Sequence, residues 1–128
     1  MIKKHFRVIT NNPLVKESFA DTEDICYFEI TYKDLLLKVR DMVFEGYELL
    51  SHPLSGSVKP GETPYKSVLI SSKKENINMQ SVKLIEQALE TYKKFTDRTV
   101  GLREDVLNDF QTVDMTLIES ALSSANRL

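Results

Sequence analysis

Cysteine is nearly absent from this sequence. Cys26 is the only one, so no intrachain disulfide can form and no cysteine cluster can hold a metal. It lies in the apolar run Ile25-Cys26-Tyr27-Phe28, where a buried inert thiol is expected rather than a nucleophile. Histidine is almost as scarce. His5 and His52 stand far apart and give no ligand spacing, so no metal and no other cofactor is expected. No apolar stretch approaches the roughly 20 residues that span a bilayer. Arg7 and Thr10 interrupt the few apolar residues near the start, so no signal sequence is expected there. An excess of positive charge is also missing: 17 Lys and Arg against 19 Asp and Glu give −2. Nucleic-acid-binding modules usually carry a broad basic face. The pairs Lys3-Lys4, Lys73-Lys74 and Lys93-Lys94 are too short for one and read as solvated faces. These absences describe a cytosolic domain with neither a membrane nor a nucleic-acid partner.

What is present is enough to fold. The 128 residues are 41% hydrophobic, which suits one domain over 1–128 with a single core. Phe6-Arg7-Val8-Ile9 reads as a first strand, stopped by Thr10-Asn11-Asn12-Pro13. Asn12 and Pro13 fit a cap and a first helical position, followed by a short helix from Leu14 to Phe19. Ile25 to Ile30 is a second strand, rich in β-branched and aromatic residues. Thr31-Tyr32-Lys33-Asp34 resembles a capping box; Leu35, Val39, Met42 and Val43 then repeat at helical spacing, and Gly46 stops the helix. Tyr47 to Leu50 reads as a third strand and Tyr65 to Ser71 as a fourth. Asn78 caps a helix carrying Met79, Val82, Ile85, Leu89 and Tyr92. A last pattern, Leu102, Val106, Phe110, Val113, Leu117 and Ala121, runs towards the C-terminus. Asp114 offers a restart after a break at Thr112, so one helix or two remain open.

Strands alternating with helices predict a small layered α/β domain. Its sheet is expected to be four-stranded and largely parallel, with helices packed on it and two C-terminal helices covering it. The early crossovers would make the first three strands parallel, while the fourth, reached through a loop alone, returns antiparallel. A homodimer through the last helix is a second use of that apolar stripe.

Glycine and proline number only four each, yet three prolines and two glycines fall within residues 53–64. Pro53, Gly56, Pro60, Gly61 and Pro64 constrain a loop that also carries Ser55, Ser57, Lys59 and Thr63. A stiff surface linker and a binding loop are both consistent with it. Open α/β sheets bind ligands beyond the carboxyl ends of their parallel strands. That rule gathers Asn11, Asn12, Thr31, Ser51, His52 and the loop; an antiparallel fourth strand adds Tyr65 and Lys66. Amides near Gly56, the hydroxyls of Ser55 and Ser57, and Lys59 would suit a phosphate or carboxylate. No G-x-x-x-x-G-K-[ST] or G-x-G-x-x-G occurs, and Ser55-Gly56-Ser57 lacks a nucleophile-elbow setting. His52 could act as a general base or simply make a structural hydrogen bond at a strand end. Asp21, Glu23 and Asp24 read as a solvated turn.

Two segments resemble the GrdX family. They are Thr10-Asn11-Asn12-Pro13-Leu14-Val15 and His52-Pro53-Leu54-Ser55-Gly56-Ser57-Val58-Lys59-Pro60, continued by Glu62-Thr63-Pro64-Tyr65-Lys66-Ser67. The resemblance implies a cytosolic accessory role beside glycine reductase in anaerobic amino-acid fermentation, with its components as partners. It supplies no mechanism and no catalytic residues. Two readings follow. The first is a non-catalytic accessory protein that holds a small anionic ligand or a partner segment on the Asn11-Asn12 turn and the 53–64 loop. The second is a small enzyme on a phosphorylated or carboxylate-bearing substrate, with His52 as proton carrier and Lys59 or Lys66 neutralising charge.

Overall fold

The computed structural model describes residues 5–54, 59 and 61–126. Its elements are β1 (Phe6–Thr10), α1 (Pro13–Phe19), β2 (Ile25–Tyr27), α2 (Tyr32–Glu45), β3 (Ser67–Ser71), α3 (Met79–Lys93) and α4 (Glu104–Ala125). The caps form as their residue types dictate. Asn12 Oδ1 accepts the Leu14 N–H at 3.0 Å, with Pro13 next in the chain. Thr31 Oγ1 accepts from Asp34 at 3.1 Å, and Asn78 Oδ1 from Ser81 at 2.8 Å. At the other end of α2, Gly46 turns left-handed at φ 113°, a conformation that favours a residue without a Cβ. α4 starts with no side-chain cap, but Glu104 and Asp105 lie in its first turn, where negative charge meets the positive end of the dipole. It runs unbroken through Thr112 and Asp114 for 22 residues.

The sheet has three strands in the order β2-β1-β3. β1 pairs with β2 in parallel and with β3 antiparallel, Ile9 facing Cys26 on one side and Val68 on the other. The expected largely parallel four-stranded sheet is therefore corrected to a small mixed one. Residues 47–50 do not form a strand: Leu49 makes a single bridge to Ile70. Side-chain hydroxyls explain why. Ser71 Oγ takes the Glu48 N–H at 2.8 Å, Ser81 Oγ takes that of Leu49 at 2.9 Å, and Ser51 Oγ takes that of Leu69 at 2.8 Å. The Glu48 and Leu69 donors that a longer ladder would pair are taken instead by serine hydroxyls from elsewhere in the chain. β2 is likewise shorter than the expected 25–30 run. Its pairing ends after Phe28 donates to Thr10 O, because Ile30 folds back to donate to Phe28 O at 3.0 Å.

Alternation along the strands sends side chains to two faces. Phe6, Val8 and Leu69 pack with Val15 of α1 and with Ile118 and Leu122 of α4. Ile9, Val68 and Ile70 pack on the opposite side with Leu35, Leu36, Val39 and Val43 of α2 and Ile85 and Leu89 of α3. The chain is thus a three-layer α/β/α sandwich with two helices on each face. Among the described residues no helix is long and apolar enough to cross a membrane.

Gly46 is the tightest backbone approach in this frame. A Cβ there would run into the carbonyl oxygen of Glu75 while φ stays positive, and Glu75 N–H already donates to Gly46 O at 2.9 Å. Gly46→Ala should lower unfolding stability by about 2–4 kcal/mol, combining left-handed strain with a backbone clash. Urea denaturation checks this; a loss below about 0.5 kcal/mol would show that the connection after α2 yields freely.

Candidate functional site

The carboxyl end of β1 carries Thr10, Asn11 and Asn12, all buried. Each is held by specific bonds. Asn11 Nδ2 donates to Ile30 O at 2.9 Å and Pro64 O at 2.8 Å, while its Oδ1 accepts the Lys66 N–H at 2.8 Å. One amide therefore fixes the segment after β2 to the segment before β3. Asn12 caps α1 with its oxygen and donates from Nδ2 to Gln111 O at 2.9 Å and Asp114 Oδ2 at 3.0 Å. Asp114 sits on the inward face of α4, four residues before Ile118 and eight before Leu122. Its Oδ1 accepts the Ser67 N–H at 3.0 Å, and its Oδ2 accepts the Ser67 hydroxyl at 2.7 Å. Thr10 Oγ1 lies 2.7 Å from Ser67 Oγ. These groups are structural: every one is consumed within the protein.

Outside this knot lies an open cleft of about 580 Å³, within the size range of small-molecule sites. Its floor is Asn11 and Pro13 after β1. Tyr27, Glu29 and Ile30 follow from β2, and Thr31, Tyr32 and Asp34 from the start of α2. Pro64 and Tyr65 form one rim, and Tyr92, Asp97 and Thr99 the other. The Tyr32 and Tyr92 rings stack with centroids 5.5 Å apart. The two rims are joined, since Arg98 N–H donates to Gly61 O at 2.7 Å and Gly61 packs on the Thr96 backbone at φ 90°.

The described lining is acidic. Glu29, Asp34 and Asp97 lie on the wall, and among the described residues no lysine or arginine does. The hydroxyl and N–H of Thr99 both donate to Asp97 Oδ1, at 2.6 and 2.9 Å, which holds that carboxyl below its usual range. The phenols respond in the opposite sense. Burial, then Glu29, pushes the Tyr27 hydroxyl up; burial, then Asp97 and Asp34, does the same to Tyr92. Tyr32 is raised further, by burial first and Asp114 second. At neutral pH the Asp97 carboxyl is therefore held ionised beside protonated Tyr27, Tyr32 and Tyr92 phenols.

The residues singled out from the sequence do not converge on one point. Of these, Asn11, Thr31, Pro64 and Tyr65 line the cleft. Asn12 is buried behind it, capping α1. Thr63 and Lys66 line a separate space of about 20 Å³ beneath it, against Asp114 and Tyr32. Thr63 Oγ1 accepts the Tyr65 N–H at 3.2 Å. Burial lowers the Lys66 pKa, and the charge of Asp114 partly offsets this. His52 is exposed, its Nδ1 accepting the Leu54 N–H at 3.1 Å. Lys59 is exposed as well. Ser55, Gly56 and Ser57 lie outside the described residues.

Sequence reasoning missed the three acids and three of the tyrosines. Tyr27 and Glu29 stand two apart on an extended segment, a spacing that puts both on one side and could have flagged them. Tyr92 and Asp97 come from a distant helix end and carried no such signal. Asp114 did: a carboxylate among Phe110, Val113 and Leu117 is polar on an inward face, where charge needs partners.

The family model described as GrdX-like protein matches residues 7–123, nearly the whole chain. No curated protein and no solved structure matches it.

Asp114→Ala would leave the Ser67 N–H, the Ser67 hydroxyl and the Asn12 amide without their acceptor. The expected loss is about 3–5 kcal/mol, against about 0.5 kcal/mol or less for Asp109→Ala on the exposed side of α4. Equal losses in denaturant titrations would show that the knot carries no special weight. Lys66 generates a pH prediction. Its folded pKa is depressed below the ordinary 10.5, so between the two values the unfolded chain binds more protons. Wild-type stability should therefore rise relative to Lys66→Met as pH climbs towards 10.5. A pH-independent difference between the two proteins would refute this.

Proposed function

Because this chain belongs to the GrdX-like family, we propose that it is a non-catalytic accessory protein of the glycine reductase system. It acts by holding a small ligand or a segment of a partner in the cleft at the carboxyl ends of β1 and β2. The family name supports the link to glycine reductase. The position of the cleft carries the rest: open α/β sheets place their ligands beyond the carboxyl ends of parallel strands, and the cleft opens there.

The walls are suited to holding rather than turning over. Asn11 ties two of them together through its carbonyl partners Ile30 and Pro64, and the Arg98–Gly61 bond ties a third. A preformed cavity loses little conformational freedom on binding. Asp97 is engaged by Thr99, and the tyrosines keep their protons at neutral pH. The wall thus offers charge, hydrogen bonds and aromatic surface to whatever enters.

Titrating the purified components of glycine reductase over the immobilised protein tests the reading. At least one component should bind, and Tyr65→Ala, with its fold verified by circular dichroism, should weaken that binding about tenfold or more, as loss of a buried aromatic anchor does. Binding that is indifferent to Tyr65→Ala would move the contact away from the cleft. Failure of every component to bind would sink the accessory role.

A further inference from the structure

The chemistry of the cleft wall narrows what it can hold. We propose that the cleft selects an organic ammonium cation, its charge answered by Glu29, Asp34 and Asp97 and its body lying against Tyr65 and Tyr92. This rests on the cleft being the working site of the protein.

Sign comes first. Among the described residues that line the cleft, three are carboxylates and none is a lysine or arginine, although the Lys16 ammonium lies against Tyr27 of its wall; the lining favours a cation over an anion. The N-terminus of α2 opens on the same wall, but Asp34 already stands in its first turn and answers the positive end of that dipole.

Size separates an organic cation from a metal ion. Among the described residues no three His, Cys, Asp or Glu side chains are close enough to hold a metal. The acids are spread around about 580 Å³ of space, and they act across it on something larger than a bare ion.

The aromatic surface supplies the remaining selectivity. Aromatic rings attract ammonium groups through their negative faces, and two lysines of this protein are already held this way, one of them on Tyr27 of the cleft wall. Lys16 Nζ sits 4.9 Å from the centre of the Tyr27 ring, and Lys38 Nζ 4.3 Å from that of Phe28. Lys16 already serves Tyr27 and is not part of the cleft lining, and Tyr32 is buried with its ring stacked on Tyr92, so Tyr65 and Tyr92 are the rings available. The protonated Tyr92 phenol beside the ionised Asp97 keeps the wall attractive to a cation across neutral pH. The same ammonium chemistry can arrive as a free small molecule or as a lysine side chain of a partner protein.

The chain has no tryptophan, and four of its five tyrosines line the cleft, so tyrosine emission reports on it directly. The test is a titration of the full chain with tetramethylammonium, n-butylammonium and a short lysine peptide. Sodium chloride and sodium acetate at matched ionic strength serve as controls. It is read by tyrosine fluorescence and by amide shifts in a ¹⁵N–¹H correlation spectrum. The cations should saturate and move amides of residues 29–34, 64–65 and 92–99, while the sodium salts should not. The double variant Glu29→Gln/Asp34→Asn changes two exposed side chains and should bind the cations at least fivefold more weakly. Asp41→Asn/Glu45→Gln, equal in charge but outside the cleft, should bind like wild type. Tighter binding of the lysine peptide would assign the ammonium to a partner, and tighter binding of the small cations to a free ligand. The proposal is overturned by the absence of localised shifts, by equal affinity in the cleft variant, or by acetate saturating the same amides. If the ammonium probes fail while a glycine reductase component still moves those amides, the ligand class is wrong and the cleft reading survives. If neither moves them, both fall.

Discussion

A single buried carboxylate organises this fold. Asp114 reaches from the inward face of α4 to the ends of β1 and β3, accepting from the Ser67 backbone, the Ser67 hydroxyl and the Asn12 amide. Desolvating a carboxylate is costly, and the cost is offset only when its lone pairs are filled by well-placed donors. That requirement fixes three things at once. α4 must lie across β3 with Asp114 opposite Ser67, α1 must begin at Asn12, and β1 and β3 must keep the register that sets Thr10 against Ser67. An apolar contact would tolerate sliding by a fraction of a turn; this arrangement does not.

The cleft inherits its shape from that knot. Because the strand ends are pinned, Asn11 is held where its amide can bridge Ile30 and Pro64, and the two segments that wall the cleft stand at a set separation. The polar groups divide accordingly. Those nearest the sheet are neutralised by one another, and those further out, Glu29, Asp34 and Asp97, face open space. A wall of acids and tyrosines thus stands above a saturated hydrogen-bond network, its charge displayed rather than consumed.

Local signals in the sequence were read well where the physics is local. Asn12 before Pro13, Thr31 before Asp34, Gly46 after a helical stripe and Asn78 before another all mark helix ends that form as expected. The stripes of α2 and α3 reach the core, with Leu35, Val39, Val43, Ile85 and Leu89 buried though Met79 is exposed. The expected stripe from Leu102 to Ala121 is corrected: α4 buries Asp114, Ile118 and Leu122 and leaves Val113 exposed. The sheet was read less well. Tyr47 to Leu50 has strand-like composition, yet the hydroxyls of Ser51, Ser71 and Ser81 take the donors and leave one bridge. Such competition depends on serines up to about thirty residues away, and no window along the chain contains it. Of the residues gathered by the strand-end rule, Asn11, Thr31, Pro64 and Tyr65 reach the cleft, while Asn12, Thr63 and Lys66 are drawn inward.

The sequence by itself determined where the first three helices begin, the apolar faces of α2 and α3, and that the ends of the first two strands deserve scrutiny. Membership in the GrdX-like family was legible there too, because a long proline- and glycine-bearing segment is specific in a way that periodicity is not. Only the tertiary structure decided the sign of the site. Glu29 follows β2, Asp34 opens α2 and Asp97 follows α3; they are up to 68 residues apart in the chain (97 − 29), and separately each reads as a solvated surface acid. Coulomb interactions depend on distance in space, so three unremarkable charges become one field only when the chain folds them around the same cavity.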